Sequence, residues 1–182
     1  MKLAMIGLGK MGMNMARRLM LGNHEIIAYD LSKEAVQQIT ADGAAGAPSL
    51  QQVVEVLSAP RIVWIMLPAG KPVEDTISRL KELLSPEDIV IDGGNTYYKD
   101  DLRRYQALKE AGIRYMDVGV SGGIWGLKMG YCMMMGGDKD VFRYLEPIFE
   151  TLAPEDGYLY CGKIGAGHFV KMVHNGIEYG LM

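Results

Sequence analysis

The chain has 182 residues, of which 49% are apolar and 23% charged, the balance of a globular domain with a real core rather than a disordered tail. A formal net charge of −3 offers no basic field for nucleic acid, and no apolar stretch approaches the ~20 residues that span a bilayer. Cys132 and Cys161 are too few for a disulfide framework and stand in no metal-ligand spacing, so two inert thiols in a reducing cytoplasm are expected, with no metal.

Strand and helix signals alternate from the first residue. The apolar run Leu3 to Ile6 leads into Gly7 and then into a helical pattern through Met15 and Leu19, ending near Gly22. Lys2 before that run resembles the start of a signal peptide, but the run is too short and passes straight into a glycine pattern, so it reads as a strand. Glu25 to Tyr29 is a second strand closed by Asp30, after which Ser32 suits the cap of a helix. Ser49 caps another helix through Val56. Arg61 to Leu67 reads as a buried strand ended by Pro68 and Gly70, and Pro72 fits the first turn of a helix to about Leu84. Ile89 to Asp92, Arg114 to Val118 and Cys132 to Met135 are further strands. A helix over Lys139 to Leu152 and a strand over Tyr158 to Cys161 follow. Most of the fourteen methionines fall inside apolar runs and are assigned to the core. The alternation predicts an α/β fold, a Rossmann-like doubly wound and mostly parallel sheet covered on both faces.

Gly7-Leu8-Gly9-Lys10-Met11-Gly12 fits G-x-G-x-x-G and lies between a strand and a helix, the context that gives this short pattern meaning. Gly7 permits a tight turn, Gly9 lets a pyrophosphate approach bare backbone, and Gly12 lets the helix pack close to the strand. The helix N-terminus then offers unpaired N–H groups and partial positive charge to phosphates. Asp30, at the end of the second strand, is placed to accept hydrogen bonds from the adenosine ribose hydroxyls and to repel a 2′-phosphate. No arginine follows it in Leu31-Ser32-Lys33-Glu34, although the flexible ammonium of Lys33 has the reach to contact such a phosphate. The cofactor expected is NAD rather than NADP.

Three small-residue stretches sit at further strand ends, where ligands bind in such sheets: Leu67-Pro68-Ala69-Gly70, Asp92-Gly93-Gly94-Asn95 and Val120-Ser121-Gly122-Gly123. Each alone also suits an ordinary turn. Together they describe a cleft for a polyhydroxylated or carboxylated ligand.

From Gly165 onward the chain reads as one helix that runs to the last residue without a stop signal, so a further domain is expected beyond it. Residues 1–164 are expected to form the dinucleotide-binding domain and 165–182 the start of an inter-domain helix. At about 100° per residue, Lys171, His174, Asn175, Glu178 and Tyr179 share one face of roughly 140°, with Val170, Met172, Val173, Ile177 and Leu181 on the remainder. A solvated face is usually built from Glu, Lys, Gln and Arg, whereas this one holds a varied set of acids, bases and hydrogen-bonding groups.

The stretch Gly167-His168-Phe169-Val170-Lys171-Met172-Val173-His174-Asn175-Gly176-Ile177-Glu178-Tyr179-Gly180 resembles the signature helix of the 6-phosphogluconate dehydrogenase family. The resemblance extends over the whole chain through GLGKMG, IDGGN and VSGG. It implies oxidative decarboxylation of 6-phosphogluconate to ribulose 5-phosphate. Lys171 would be the general base at the 3-hydroxyl and Glu178 the acid that protonates C1 of the enediol left after carbon dioxide departs. It also implies that Gly7, Leu8, Gly9, Lys10, Met11, Gly12, Asp30, Leu67, Pro68, Ala69 and Asn95 bind the cofactor. Asn95, Ser121, Gly122, Gly123, His174 and Asn175 would hold the sugar acid, and Tyr179 its phosphate.

Longer members of the family carry V-K-A-G at the position of Leu67-Pro68-Ala69-Gly70 and an Asn-Arg-Thr type stretch at the position of Asp30-Leu31-Ser32. The difference resembles a shorter, NAD-preferring branch with a reduced all-helical C-terminal domain, through which the family forms homodimers. These 182 residues alone are then expected to bind the dinucleotide without turning over. Two other readings stay open: a β-hydroxyacid dehydrogenase of the 3-hydroxyisobutyrate type, and a non-catalytic NAD-sensing module.

Overall fold

A computed structural model describes residues 1–182 and contains eight strands in a single sheet. In chain order the elements are β1 (Lys2–Ile6), α1 (Lys10–Leu21), β2 (Glu25–Tyr29), α2 (Lys33–Ala41), β3 (Ala45–Gly46), α3 (Leu50–Val56), β4 (Ile62–Ile65) and α4 (Lys71–Leu83). They continue with β5 (Ile89–Asp92), α5 (Tyr98–Lys109), β6 (Arg114–Ser121), a 3-10 turn (Gly123–Trp125), α6 (Gly126–Met129), β7 (Cys132–Gly137), α7 (Lys139–Leu152), β8 (Tyr158–Gly162) and α8 (Ala166–Leu181). The strand order is β3-β2-β1-β4-β5-β6-β7-β8.

The central strands are buried on both sides, and their side chains alternate between two cores. Leu3, Met5, Ile26, Ala28, Ile62, Trp64, Ile89 and Ile91 join the core under α1 and α7. Ala4, Ile6, Ile27, Val63, Ile65 and Val90 join the other, under α3 and α4. Chain order reverses between β1 and β4, so the connections leaving their carboxyl ends diverge and open a crevice there.

Ser32 and Ser49 cap α2 and α3 as expected, their hydroxyls accepting the N–H groups of Ala35 and Gln52. Several elements depart from the sequence expectation, which has no counterpart for the short β3, the 3-10 turn or α6. The fourth strand is shorter, Ile62–Ile65, which frees Met66 to Pro68 to line the crevice. Arg114–Ser121 and Cys132–Gly137 run longer than expected. They pair antiparallel because the connection from Gly122 to Tyr131 carries no helix long enough for a crossover. Helix α5 has no counterpart in the apolar pattern, because its buried face is Asp101, Arg104 and Leu108. Charged residues occupy the positions where a hydrophobic period would have shown.

Helix α8 lies across β6 and β7 at glycine contacts. A Cβ on Gly119 would stand 2.6 Å from Lys171 Cβ, and one on Gly167 would collide with the Met134 carbonyl oxygen. Its N-terminus is held by Asp117, which accepts the N–H of Gly165 at 2.6 Å and of His168 at 2.9 Å. Beyond His168 the helix is largely uncovered. Val170, Met172, Val173, Ile177 and Leu181, the apolar remainder of its surface, are all exposed.

Candidate active site

The crevice at the β1/β4 reversal is a cleft of about 920 Å³. Gly7, Gly9, Met11, Asp30, Leu67, Pro68 and Asn95 line it, together with Gly93, Gly94 and Val120. Successive strand ends therefore converge on one space. Two of the three small-residue turns, at Leu67-Pro68 and Gly93-Gly94-Asn95, thus meet at one cleft, whereas of Val120-Ser121-Gly122-Gly123 only Val120 reaches the lining, because the chain turns away after Ser121.

The glycine loop divides its work as the spacing predicts. Gly7 has φ +93°, and a Cβ there would stand 2.5 Å from the Met66 carbonyl oxygen. A Cβ on Gly12 would collide with the Gly7 carbonyl oxygen, so α1 seats directly against the loop. Gly9 is different, because a Cβ there would meet nothing within 4 Å. The bare face of Gly9 opens on the cleft rather than on protein. No side chain caps α1 and no acid lies in its first turn, so its N-terminal field is left uncompensated. A pyrophosphate fits these features: open space over Gly9, free helix-end donors and no competing carboxylate in the helix.

Asp30 lines the cleft at the end of β2. Its Oδ2 accepts the Leu8 N–H at 2.6 Å and its Oδ1 accepts the Ser32 N–H at 2.8 Å, with lone pairs left for a sugar hydroxyl. The Leu8 amide is thus committed to Asp30, and the Leu8 side chain lies in the core rather than in the cleft. Lys10 is exposed at the start of α1, and Ala69 is exposed outside the lining. Leu31, Leu50, Lys71, Asp75 and Thr76 also line the cleft. In the sequence Leu31 stands out only beside Asp30, and nothing marks Leu50 and the α4 residues Lys71, Asp75 and Thr76, because no motif joins them to the glycine loop.

Lys171 donates from Nζ to the carbonyl oxygen of Val120, a residue of the cleft wall. Burial pushes its amine below the usual lysine value, while Cys132 and Glu178 pull the other way. Cys132 pairs with Ser121 across β6 and β7, which brings its thiol into this neighbourhood. Gly122 and Gly123 have φ +139° and +51°, turning the chain sharply after Ser121. Asn175 is half-buried on α8. His174 Nδ1 lies 3.6 Å from Glu178 Oε2, with both side chains about half exposed, and Tyr179 is exposed further along. The structure therefore brings Lys171 to the cleft wall and leaves His174, Glu178 and Tyr179 on the open part of the helix.

Sequence reasoning missed a buried polar cluster. Asp92 accepts the Gly94 N–H at 3.0 Å, the Thr96 hydroxyl at 2.7 Å and Arg104 Nη1 at 2.7 Å. Arg104 also donates to Glu74, whose carboxyl is held down at about 2 by Arg103 and Arg104 against the opposing effect of burial. Burial, aided by the charge of Asp101, raises Asp117 to about 6. A charged residue inside an apolar strand, as in Ile89-Val90-Ile91-Asp92, was the available signal.

The family model described as the NAD binding domain of 6-phosphogluconate dehydrogenase matches residues 2–165. A Bacillus subtilis protein, YqeC, named provisionally as a 6-phosphogluconate dehydrogenase, is 46% identical over all of this chain and 61% of its own length. An NAD(+)-dependent decarboxylating 6-phosphogluconate dehydrogenase of Haloferax volcanii is 41% identical over all of this chain and 60% of its own length. An NADP(+)-dependent one of Bacillus subtilis is 40% identical, over 40% of its length. Among solved structures, the 6-phosphogluconate dehydrogenase of Plasmodium falciparum superposes with a TM-score of 0.90 at 32% identity, covering 99% of this chain and 41% of that one. The 3-hydroxyisobutyrate dehydrogenase of Mycobacterium tuberculosis gives 0.89 at 28% identity, covering 97% of this chain and 59% of that one. The chain thus spans about 60% of the shorter relatives and about 40% of the longer ones. It belongs to the family of the NAD binding domain of 6-phosphogluconate dehydrogenase, an NAD(P)-binding Rossmann domain of oxidoreductases.

Proposed function

We propose that the full-length protein oxidatively decarboxylates 6-phosphogluconate to ribulose 5-phosphate, with NAD as hydride acceptor. Residues 1–164 form the dinucleotide domain in this reading, and the helix from Gly165 carries the proton-transfer groups. The observation that carries it is the seat of Lys171, an amine desolvated against the Val120 carbonyl at the wall of a cleft shaped for a dinucleotide.

A general base must be neutral when it acts, and burial moves Lys171 in that direction. The bound nicotinamide supplies a hydride acceptor. Lys171 takes the proton of the 3-hydroxyl as the C3 hydride leaves, giving a β-keto acid. Loss of carbon dioxide from C1 then places negative charge on the C3 oxygen, which the newly formed Lys171 ammonium stabilises. Glu178 stands seven residues on, about two helical turns, and protonates the former C2, which is C1 of the resulting enediol. Asn95, Ser121, Gly122, Gly123, His174 and Asn175 hold the hydroxyls and carboxylate, and Tyr179 contributes to the phosphate site.

NAD rather than NADP is favoured by Asp30 and by exposed Leu31, where a 2′-phosphate would need an arginine. Relatives of both cofactor types match at similar identity, so the preference rests on these residues. The likeness to a 3-hydroxyisobutyrate dehydrogenase favours a second substrate class, a smaller β-hydroxyacid. Assay of the full-length protein on both acids, with carbon dioxide release as readout, tests the choice. Release from 6-phosphogluconate is expected; oxidation of 3-hydroxyisobutyrate alone would overturn it.

A further inference from the structure

The polar cluster beneath the cleft continues without a break into α8. Tyr115 Oη donates to Asp101 at 2.7 Å and lies 3.5 Å from Asp92 Oδ2. The other oxygen of Asp101 lies 2.8 Å from His168 Nδ1, and the His168 N–H donates to Asp117 at 2.9 Å. Asp92, Asp101, Arg104, Tyr115, Asp117 and His168 are each 2% exposed or less. The path runs from the Gly94 amide, in the cleft, to the first turn of the helix that carries Lys171. Buried charges held this way contribute little net stability compared with apolar packing, but they accept few geometries.

We propose that His168 is a positioning residue: gripped by Asp101, it fixes the register of α8 on the sheet and ties Lys171 to the Asp92–Asn95 loop of the cleft. This rests on the reading of Lys171 as the base. Lys171 follows His168 by three residues, nearly one turn. Gly119 and Gly167 bring the helix so close to β6 and β7 that a slip of its first turn would carry Lys171 with it. His168 Nε2 is buried with no partner, so the grip lies in Nδ1. The groups facing His168 are Asp101, Asp92 and Asp117; those facing Lys171 are Cys132 and Glu178. None of the carboxylates around His168 acts on Lys171 directly, so an effect of His168 on the lysine passes through the helix. A helix that shifts outward hydrates the amine and returns it toward ordinary lysine behaviour.

The test uses the full-length protein. In H168N an amide nitrogen stands where Nδ1 stood, whereas H168Q places one nearer Nε2 and H168A offers none. H168N is expected to keep kcat within about threefold of the parent, while H168Q and H168A lose roughly tenfold to a hundredfold in kcat with KM for NAD little changed. In the impaired variants the acid limb of the kcat–pH profile moves to higher pH. Y115F removes one hold on Asp101 with no loss of ring packing, and is expected to move the limb in the same direction by less. It carries the test if H168A fails to fold. Impaired variants that melt lower yet keep kcat and the acid limb, assayed below their melting temperatures, would overturn the proposal. So would an H168N as impaired as H168A. Failure of the underlying reading looks different: K171M itself would keep hydride transfer.

Discussion

The carboxylate of Asp30 accepts the backbone N–H of Leu8 at 2.6 Å, binding the first turn of the glycine loop to the end of a strand 22 residues later. One side chain thus shapes the glycine loop while lining the cleft. In the full-length protein, kcat/KM for NAD should exceed that for NADP by about tenfold or more, ~1.4 kcal/mol. D30N combined with L31R should narrow or invert the ratio, and steady-state kinetics with both cofactors decides it. Equal use of both by the parent enzyme would end the assignment.

The three loop glycines should fail in different ways. G9A places its methyl in open space, so it should melt near the parent temperature while weakening NAD binding. G12A drives a methyl into the Gly7 carbonyl and should cost about 1–3 kcal/mol of stability. G7A adds the cost of a positive φ, roughly 1–2 kcal/mol, to its clash with Met66. Thermal melts paired with NAD titration separate the two classes of effect. A G9A variant that binds NAD like the parent would show that the open face of Gly9 is not the pyrophosphate seat.

Residues 1–182 by themselves should bind NAD and respond little to 6-phosphogluconate. The cleft and both cores lie within Leu3 to Ala153. Tyr179, proposed for the substrate phosphate, instead stands on an uncovered helix. Calorimetric titration of residues 1–182 with each ligand checks the expectation, and measurable ribulose 5-phosphate formation would refute it.

Lys171 and Glu178 should separate in time. K171M blocks the first chemical step and should lose at least about two decades in rate, with no burst of NADH on rapid mixing. E178Q acts after carbon dioxide has left, so a burst near one NADH per site should precede a slow steady rate. The reverse pattern would exchange the roles.

The pH dependence follows from the direction of the Lys171 shift. With Lys171 as the proposed base, the active form is the neutral amine, so the rate should rise with pH as the ammonium loses its proton. Because burial lowers the pKa in the folded state, that rise should be centred below the ordinary lysine value of about 10.4. A profile of kcat against pH in the full-length protein tests this. An acid limb at or above the ordinary value would remove Lys171 as the base.

The doubly wound sheet was legible because its evidence is local. Buried parallel strands are continuous apolar runs, serine caps precede their helices, and G-x-G-x-x-G needs only its own turn to be recognised. The face of α8 was legible for the same reason, since Lys171, Asn175 and Glu178 are set by helical period alone. What the tertiary structure decided was which of these groups meet. The seat of Lys171 on Val120 joins residues 51 positions apart, and the link from Asp101 to His168 joins residues 67 apart. Helix α5 stayed hidden because its inward side chains are Asp101 and Arg104, charges that a hydrophobic period assigns to solvent. They are buried only because Asp92, Tyr115 and His168, on three other elements, arrive to satisfy them. A sequence fixes which groups a chain carries and how they repeat along it. Compensation between buried charges depends on separations through space, and only the folded sheet sets those.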